Sequence, residues 1–139
     1  RRLSIMASTL KINTLTGVTT AGSIAVTGEG NSTTTNLQQG LAKGWVNFDT
    51  NDNPPVANDS FNVSSLTDDD QEVEINMTNA MSNSVYSPTS SGGNSSSNPS
   101  NRNLAVAILS SSVINCEMFT TNNAAAVGLH HVTWHGDLA

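Results

Sequence analysis

Three histidines stand close together near the end of the sequence, in His130-His131-Val132-Thr133-Trp134-His135, and imidazole is the side chain best suited to metal ligation and to proton transfer near neutral pH. Side chains alternate along a strand, so His131 and His135 share one face while His130 points with Val132 and Trp134. Two imidazoles four residues apart in a straight strand are about 13 Å apart, too far to share an ion. The group is therefore expected to be structural or to sit at an interface, the alternative being a three-fold axis that brings three copies of one histidine together. Asp49-Thr50-Asn51-Asp52-Asn53 places oxygens at alternate positions, as a calcium loop begins, but Pro54 stands where the sharp-turn glycine is needed and no closing glutamate follows. Asp68-Asp69-Asp70 with Glu72 and Glu74 reads as a solvated acidic hairpin. Serine is abundant, yet no Gly-x-Ser-x-Gly elbow occurs. Cys116 lies in the apolar alternation Ile114-Cys116-Met118, where a thiol acts as a small core hydrophobe. No catalytic residue, metal ligand or cofactor site is predicted, and the chain is not expected to be an enzyme.

The elements that must position these residues follow from composition. Ser, Thr and Asn make up 53 of the 139 residues, while hydrophobic residues are 36% and charged residues 12%. Those short polar side chains compete with helical backbone hydrogen bonds and suit strands and turns. Little helix is expected. A net charge of −6 with five basic residues cannot supply the cation density that nucleic acid or an anionic membrane demands. No apolar run approaches the roughly 18 residues of a membrane span, and Arg1-Arg2-Leu3-Ser4-Ile5 lacks the apolar core of a signal peptide. The expectation is a soluble chain without an export signal.

Residues 1–36 carry sparse apolar side chains, Leu10, Ile12, Leu15, Ile24 and Val26 among them, between turn-prone glycines. They are too few to close a core and are predicted to form an extended docking or intertwining segment against another chain. Residues 37–139 are predicted to form the folded domain. Leu41 to Phe48 reads as the first core strand, with Trp45 in the core or at a subunit interface. Ser60 to Ser64 reads as a second strand, Val73 to Met77 as a strand with one buried and one wet face, and Val85 to Ser87 as another. The continuous apolar run Asn103 to Leu109 and the alternating Val113 to Phe119 are predicted as buried central strands, and Ala126 to His135 as the last. Short strands with turns between them predict an all-β fold, an antiparallel β-sandwich or jelly roll. Thr89 to Asn101 contains no apolar residue and is predicted to be an exposed loop at one end.

The blocks Ala7 to Gly17 and Ala21 to Gly30, then Leu37 to Phe48, Asp59 to Asp68 and Thr78 to Ser82, together resemble small structural proteins of marine tailed phages with a tail-fibre-like pattern. The resemblance covers most of residues 7–87. It implies a virion component, trimeric, with an N-terminal segment that docks on other virion proteins and a C-terminal sandwich displayed outward. Where the family often has a Gly- and Thr-rich turn, this sequence has Asp52-Asn53-Pro54-Pro55, and the Thr89 to Asn101 run has no counterpart. Three roles remain open at this point: a tail or fibre protein touching the host, a head decoration or head fibre protein, and, more distantly, a polysaccharide depolymerase. On the first, the host-facing loop carries Asn94, Asn98 and Asn101, with Tyr86 as an aromatic surface for a host glycan. The assembly segment carries Leu10, Ile12, Leu15, Ile24 and Val26.

Overall fold

The computed structural model describes residues 10–18, 24–28, 33–69, 72–93, 102–120, 122 and 124–138. Two short strands, β1 (Ala25–Thr27) and β2 (Thr34–Asn36), pair antiparallel ahead of the main domain. One helical turn, α1 (Leu37–Gly40), follows. Asn36 caps it, its Oδ1 accepting the N–H groups of Gln38 and Gln39 at 2.8 and 3.3 Å, which satisfies donors a helix start leaves unpaired.

Eight strands then build the domain: β3 (Ala42–Asp49), β4 (Val56–Phe61), β5 (Val63–Asp69), β6 (Glu72–Met77), β7 (Ser87–Gly93), β8 (Arg102–Ile108), β9 (Val113–Thr120) and β10 (Leu129–His135). They form two four-stranded antiparallel sheets, ordered β4-β3-β10-β7 and β5-β6-β9-β8. The expected β-sandwich is the fold of this chain. Its core follows from strand alternation. Val46 and Phe48 on β3 stand opposite Val132 and His130 on β10, and Val73 and Ile75 on β6 stand opposite Cys116 and Ile114 on β9. All eight are buried, and each large apolar side chain among them contributes roughly 1.5 to 3 kcal/mol. Trp134, wholly buried, faces Gly44 across the β3 to β10 pairing.

The chain changes sheet at Asn62, which separates β4 from β5 and adopts a left-handed φ of 61°. Its Nδ2 donates to the carbonyls of Lys43 and Asn79 at 2.9 and 3.0 Å, and its Oδ1 accepts the Asn79 N–H at 2.7 Å. This corner splits the single Ser60 to Ser64 strand expected from sequence. Three further expectations are corrected. Trp45 points outward and is 36% exposed, because Gly44, Val46 and Phe48 take the inward positions; it is not a core residue. The apolar run of β8 forms an edge strand, not a central one. Leu104, Val106 and Ile108 pack half-buried against the core while Asn103, Ala105 and Ala107 face out, and the outward alanines hid the alternation. Thr89 to Gly93 is not loop but most of β7, paired residue by residue with β10, while Val85 and Tyr86 lie outside the strand. Backbone hydrogen bonds suffice for this edge, and bulk is excluded, since a Cβ on Gly92 would meet Met118 Cε at 2.7 Å.

Candidate binding cleft at the acidic end

The register places the connections at two opposite ends. One end gathers α1, the Asn62 corner, residues 78–86, the turn between β8 and β9, and the bridge of Met81 to Leu138. Leu41, Val85, Leu109 and Leu138 are exposed there. The other end gathers the connection from Asp49 to Val56, the β5 to β6 hairpin, the ends of β7 and β8, and the connection from Thr120 to Leu129. A cleft of about 440 Å³ opens at that second end, rimmed by Asp52, Asp68, Glu72 and Arg102 and floored by Cys116, Met118 and His130. Three carboxylates against one guanidinium make the rim hospitable to cations and to hydroxyl donors, and hostile to anions.

The floor is set by burial. His130 stacks on Phe48, with ring centroids 4.6 Å apart, and its Nε2 lies 3.4 Å from Thr50 Oγ1. That hydroxyl also accepts the Gly128 N–H at 2.9 Å, which ties the start of β10 to the end of β3. Burial lowers the His130 pKa to about 4, with Asp49 opposing the shift and His131 adding to it, so the ring is neutral at pH 7. Its Nδ1 has no hydrogen-bond partner among the described residues. Burial also pushes the Cys116 thiol up to about 12, and its Sγ donates to the Val73 carbonyl at 3.3 Å; it packs as a core residue rather than acting as a thiolate. Asp49 Oδ1 accepts the Asn51 N–H at 2.9 Å, closing a local turn in the segment that resembles a calcium loop. Among the described residues no group of three or more His, Cys, Asp or Glu side chains is placed to hold a metal ion.

The residues singled out from sequence are not brought together. Tyr86 is buried at the end opposite the cleft, its hydroxyl donating to the Ser110 carbonyl at 2.9 Å. It completes the core beside Met81, which corrects its assignment as an exposed sugar-stacking surface. Asn94, Asn98 and Asn101 lie outside the described residues; the segment holding them joins Gly93 to Arg102, whose strand ends belong to the cleft end. Leu10, Ile12 and Leu15 are exposed, as is Val26, while Ile24 is half-buried and its carbonyl accepts the Leu37 N–H at 2.9 Å. Of the histidines, His130 faces the core, whereas His131 is exposed and His135 half-buried.

Sequence reasoning missed two things. One is the cleft, whose rim residues lie in three separate stretches of the sequence that no local motif links. The other is the outer face of the β4-β3-β10-β7 sheet, where Trp45 and Phe61 stand opposite each other in register and both are exposed. The signal was available in the alternation of Leu41 to Phe48, which is apolar on both faces. Fold and cleft together define a two-sheet antiparallel β-sandwich with an acid-rimmed, ligand-sized opening at one end. The chain matches no protein-family model, no curated protein and no solved structure.

Proposed function

We propose that this chain is a structural component of a tailed-phage virion, a tail or fibre protein that assembles as a homotrimer through its N-terminal segment and presents its acidic end outward. The role is one of docking and display, without catalysis. The observation that carries this reading is the segregation of the two ends. The chain enters the sandwich through α1 at the end where Leu41, Val85, Leu109 and Leu138 are exposed, and the acid-rimmed cleft lies at the other. A module anchored at its apolar end has its polar end free. The exposure of Leu10, Ile12, Leu15 and Val18 supports assembly, because four large apolar side chains on a short segment are stabilised once a partner chain covers them. The sequence resemblance to tail-fibre-like phage proteins supports the same placement.

Quantitative mass spectrometry of purified particles tests it. A count of a few to a few dozen copies is expected for a tail component; hundreds of copies indicate a head decoration protein, and absence from the particle overturns the proposal. Light scattering on the full chain and on a chain lacking residues 1–23 tests assembly, with a trimer expected for the first and a monomer for the second. A monomeric full chain at micromolar concentration refutes the trimer.

A further inference from the structure

We infer that the outer face of the β4-β3-β10-β7 sheet is a binding site for a neutral saccharide, with the Trp45 indole as its stacking platform. A shallow groove of about 420 Å³ lies there, lined by Trp45, Asn47, Asp59, His131 and Thr133. The register arranges the side chains in two rows. Phe61, Trp45 and Thr133 form the first, and Asp59, Asn47 and His131 the second. Rows two residues apart are about 7 Å apart, and neighbouring strands about 4.8 Å, so a sugar ring lying on the indole reaches the second row with its hydroxyls.

The second row is held in place before any ligand arrives. Asn58 Nδ2 donates to Asn47 Oδ1 at 2.8 Å, and Asn47 Nδ2 lies 2.7 Å from His131 Nδ1. The same Asn47 nitrogen lies 3.5 Å from His131 Nε2, so the amide, which can only donate, is held against the imidazole. The groove thus offers an imidazole, the Asp59 carboxylate as acceptor and the Thr133 hydroxyl as either donor or acceptor, beside an aromatic face. That mixture suits a ring with apolar C–H faces and hydroxyls around its edge, because stacking removes apolar surface from water while each displaced hydroxyl finds a partner. Charge decides the class further. Asp59 in the groove and a net charge of −6 repel phosphate, sulfate and uronate groups, leaving neutral hexoses and N-acetylhexosamines. The site is separate from the acid-rimmed cleft and independent of where the chain sits in a particle.

The test is NMR titration of the full chain with glucose, galactose, mannose and N-acetylglucosamine. At least one should give saturable shifts at the Trp45 indole N–H and the Asn47 and Asn58 side-chain amides, with a Kd of about 1 to 10 mM, the range expected of a small shallow contact. Trp45→Ala should weaken binding about tenfold and Trp45→Phe about threefold, while the resonances of Val46 and Phe48 stay in place and so report an intact fold. Asn47→Ala, which frees His131, should weaken binding about fivefold. No saturable shift at Trp45 with any of the four sugars overturns the inference. So does a Trp45 shift that follows protein concentration without sugar, which would mark the face as a contact between copies of this chain.

Discussion

The contact of Gly44 with Trp134 sets a severe test of the packing. A Cβ built on Gly44 falls 2.0 Å from Trp134 Cζ2 and 2.3 Å from Cε2, whereas ordinary contact begins at 3.4 Å. In a Gly44→Ala variant the indole must therefore retreat by about 1.4 Å. It has nowhere to go, because Trp134 is fully buried on a strand hydrogen-bonded on both sides by β3 and β7. Overpacking usually costs about 1 to 3 kcal/mol, and removing glycine's freedom from the unfolded chain returns only about 0.5 kcal/mol. Gly44→Ala should lose about 2.5 kcal/mol, the upper overpacking cost less that return, read from urea unfolding as a lower midpoint with an unchanged slope. Trp134→Phe removes the atoms that clash and also a buried Nε1–H that has no partner among the described residues. In that background the same alanine should cost at least about 1.5 kcal/mol less. If the two substitutions prove additive, or Gly44→Ala leaves the midpoint within experimental error, the ring does not lie over the glycine.

Three further outcomes are expected. Asn62→Ala should cost about 2 to 4 kcal/mol, since it removes four hydrogen bonds and leaves a Cβ at φ 61°; Asn62→Gly relieves the backbone and should recover part of the loss, and equal losses would refute the strain. His130 takes a proton near pH 6.5 when unfolded but only near pH 4 when folded. Its contribution is therefore fully present above pH 6.5, falls as the pH drops, and is gone below about pH 4, a loss of about 3 kcal/mol. Urea midpoints of the native chain and of His130→Phe at pH 7 and pH 4.5 check this, and parallel acid losses in both would refute it. Cys116, with its thiol raised to about 12, should resist a thiol reagent at pH 8 until the chain is unfolded, and rapid labelling of the folded chain would contradict its burial.

The legibility of this fold varied with how unequal the two faces of each strand are. Val73 to Met77 alternates apolar with polar residues, and its buried face was readable from sequence; so was the sharing of one face by His130, Val132 and Trp134, though not that this face is the inner one. Leu41 to Phe48 has large apolar side chains on both faces, so alternation alone could not say that Val46 and Phe48 face inward and Trp45 outward. The deciding residue is Gly44, whose missing side chain admits a tryptophan 90 positions later in the sequence. The polar strand β7 was unreadable for another reason. An edge strand held by its neighbour's backbone needs no apolar residue of its own, and Ser and Gly are equally the residues of loops. The acidic rim could be read as charge but not as a cleft, because Asp52, Asp68, Glu72 and Arg102 meet only when both sheets have formed.

The strand order carries a consequence for the sequence of events in synthesis. β10 sits between β3 and β7, so the first sandwich strand to leave the ribosome waits for the last before its sheet can close. The hairpin of β5 and β6 likewise waits for β9. Pairings of such long range make folding slow, and they make it a late event, completed only after the whole domain has emerged. Residues 10–18, with their exposed Leu10, Ile12, Leu15 and Val18, are in solution throughout that interval. On polysomes, where nascent copies of one message lie side by side, the proposed association of these segments would then precede domain folding.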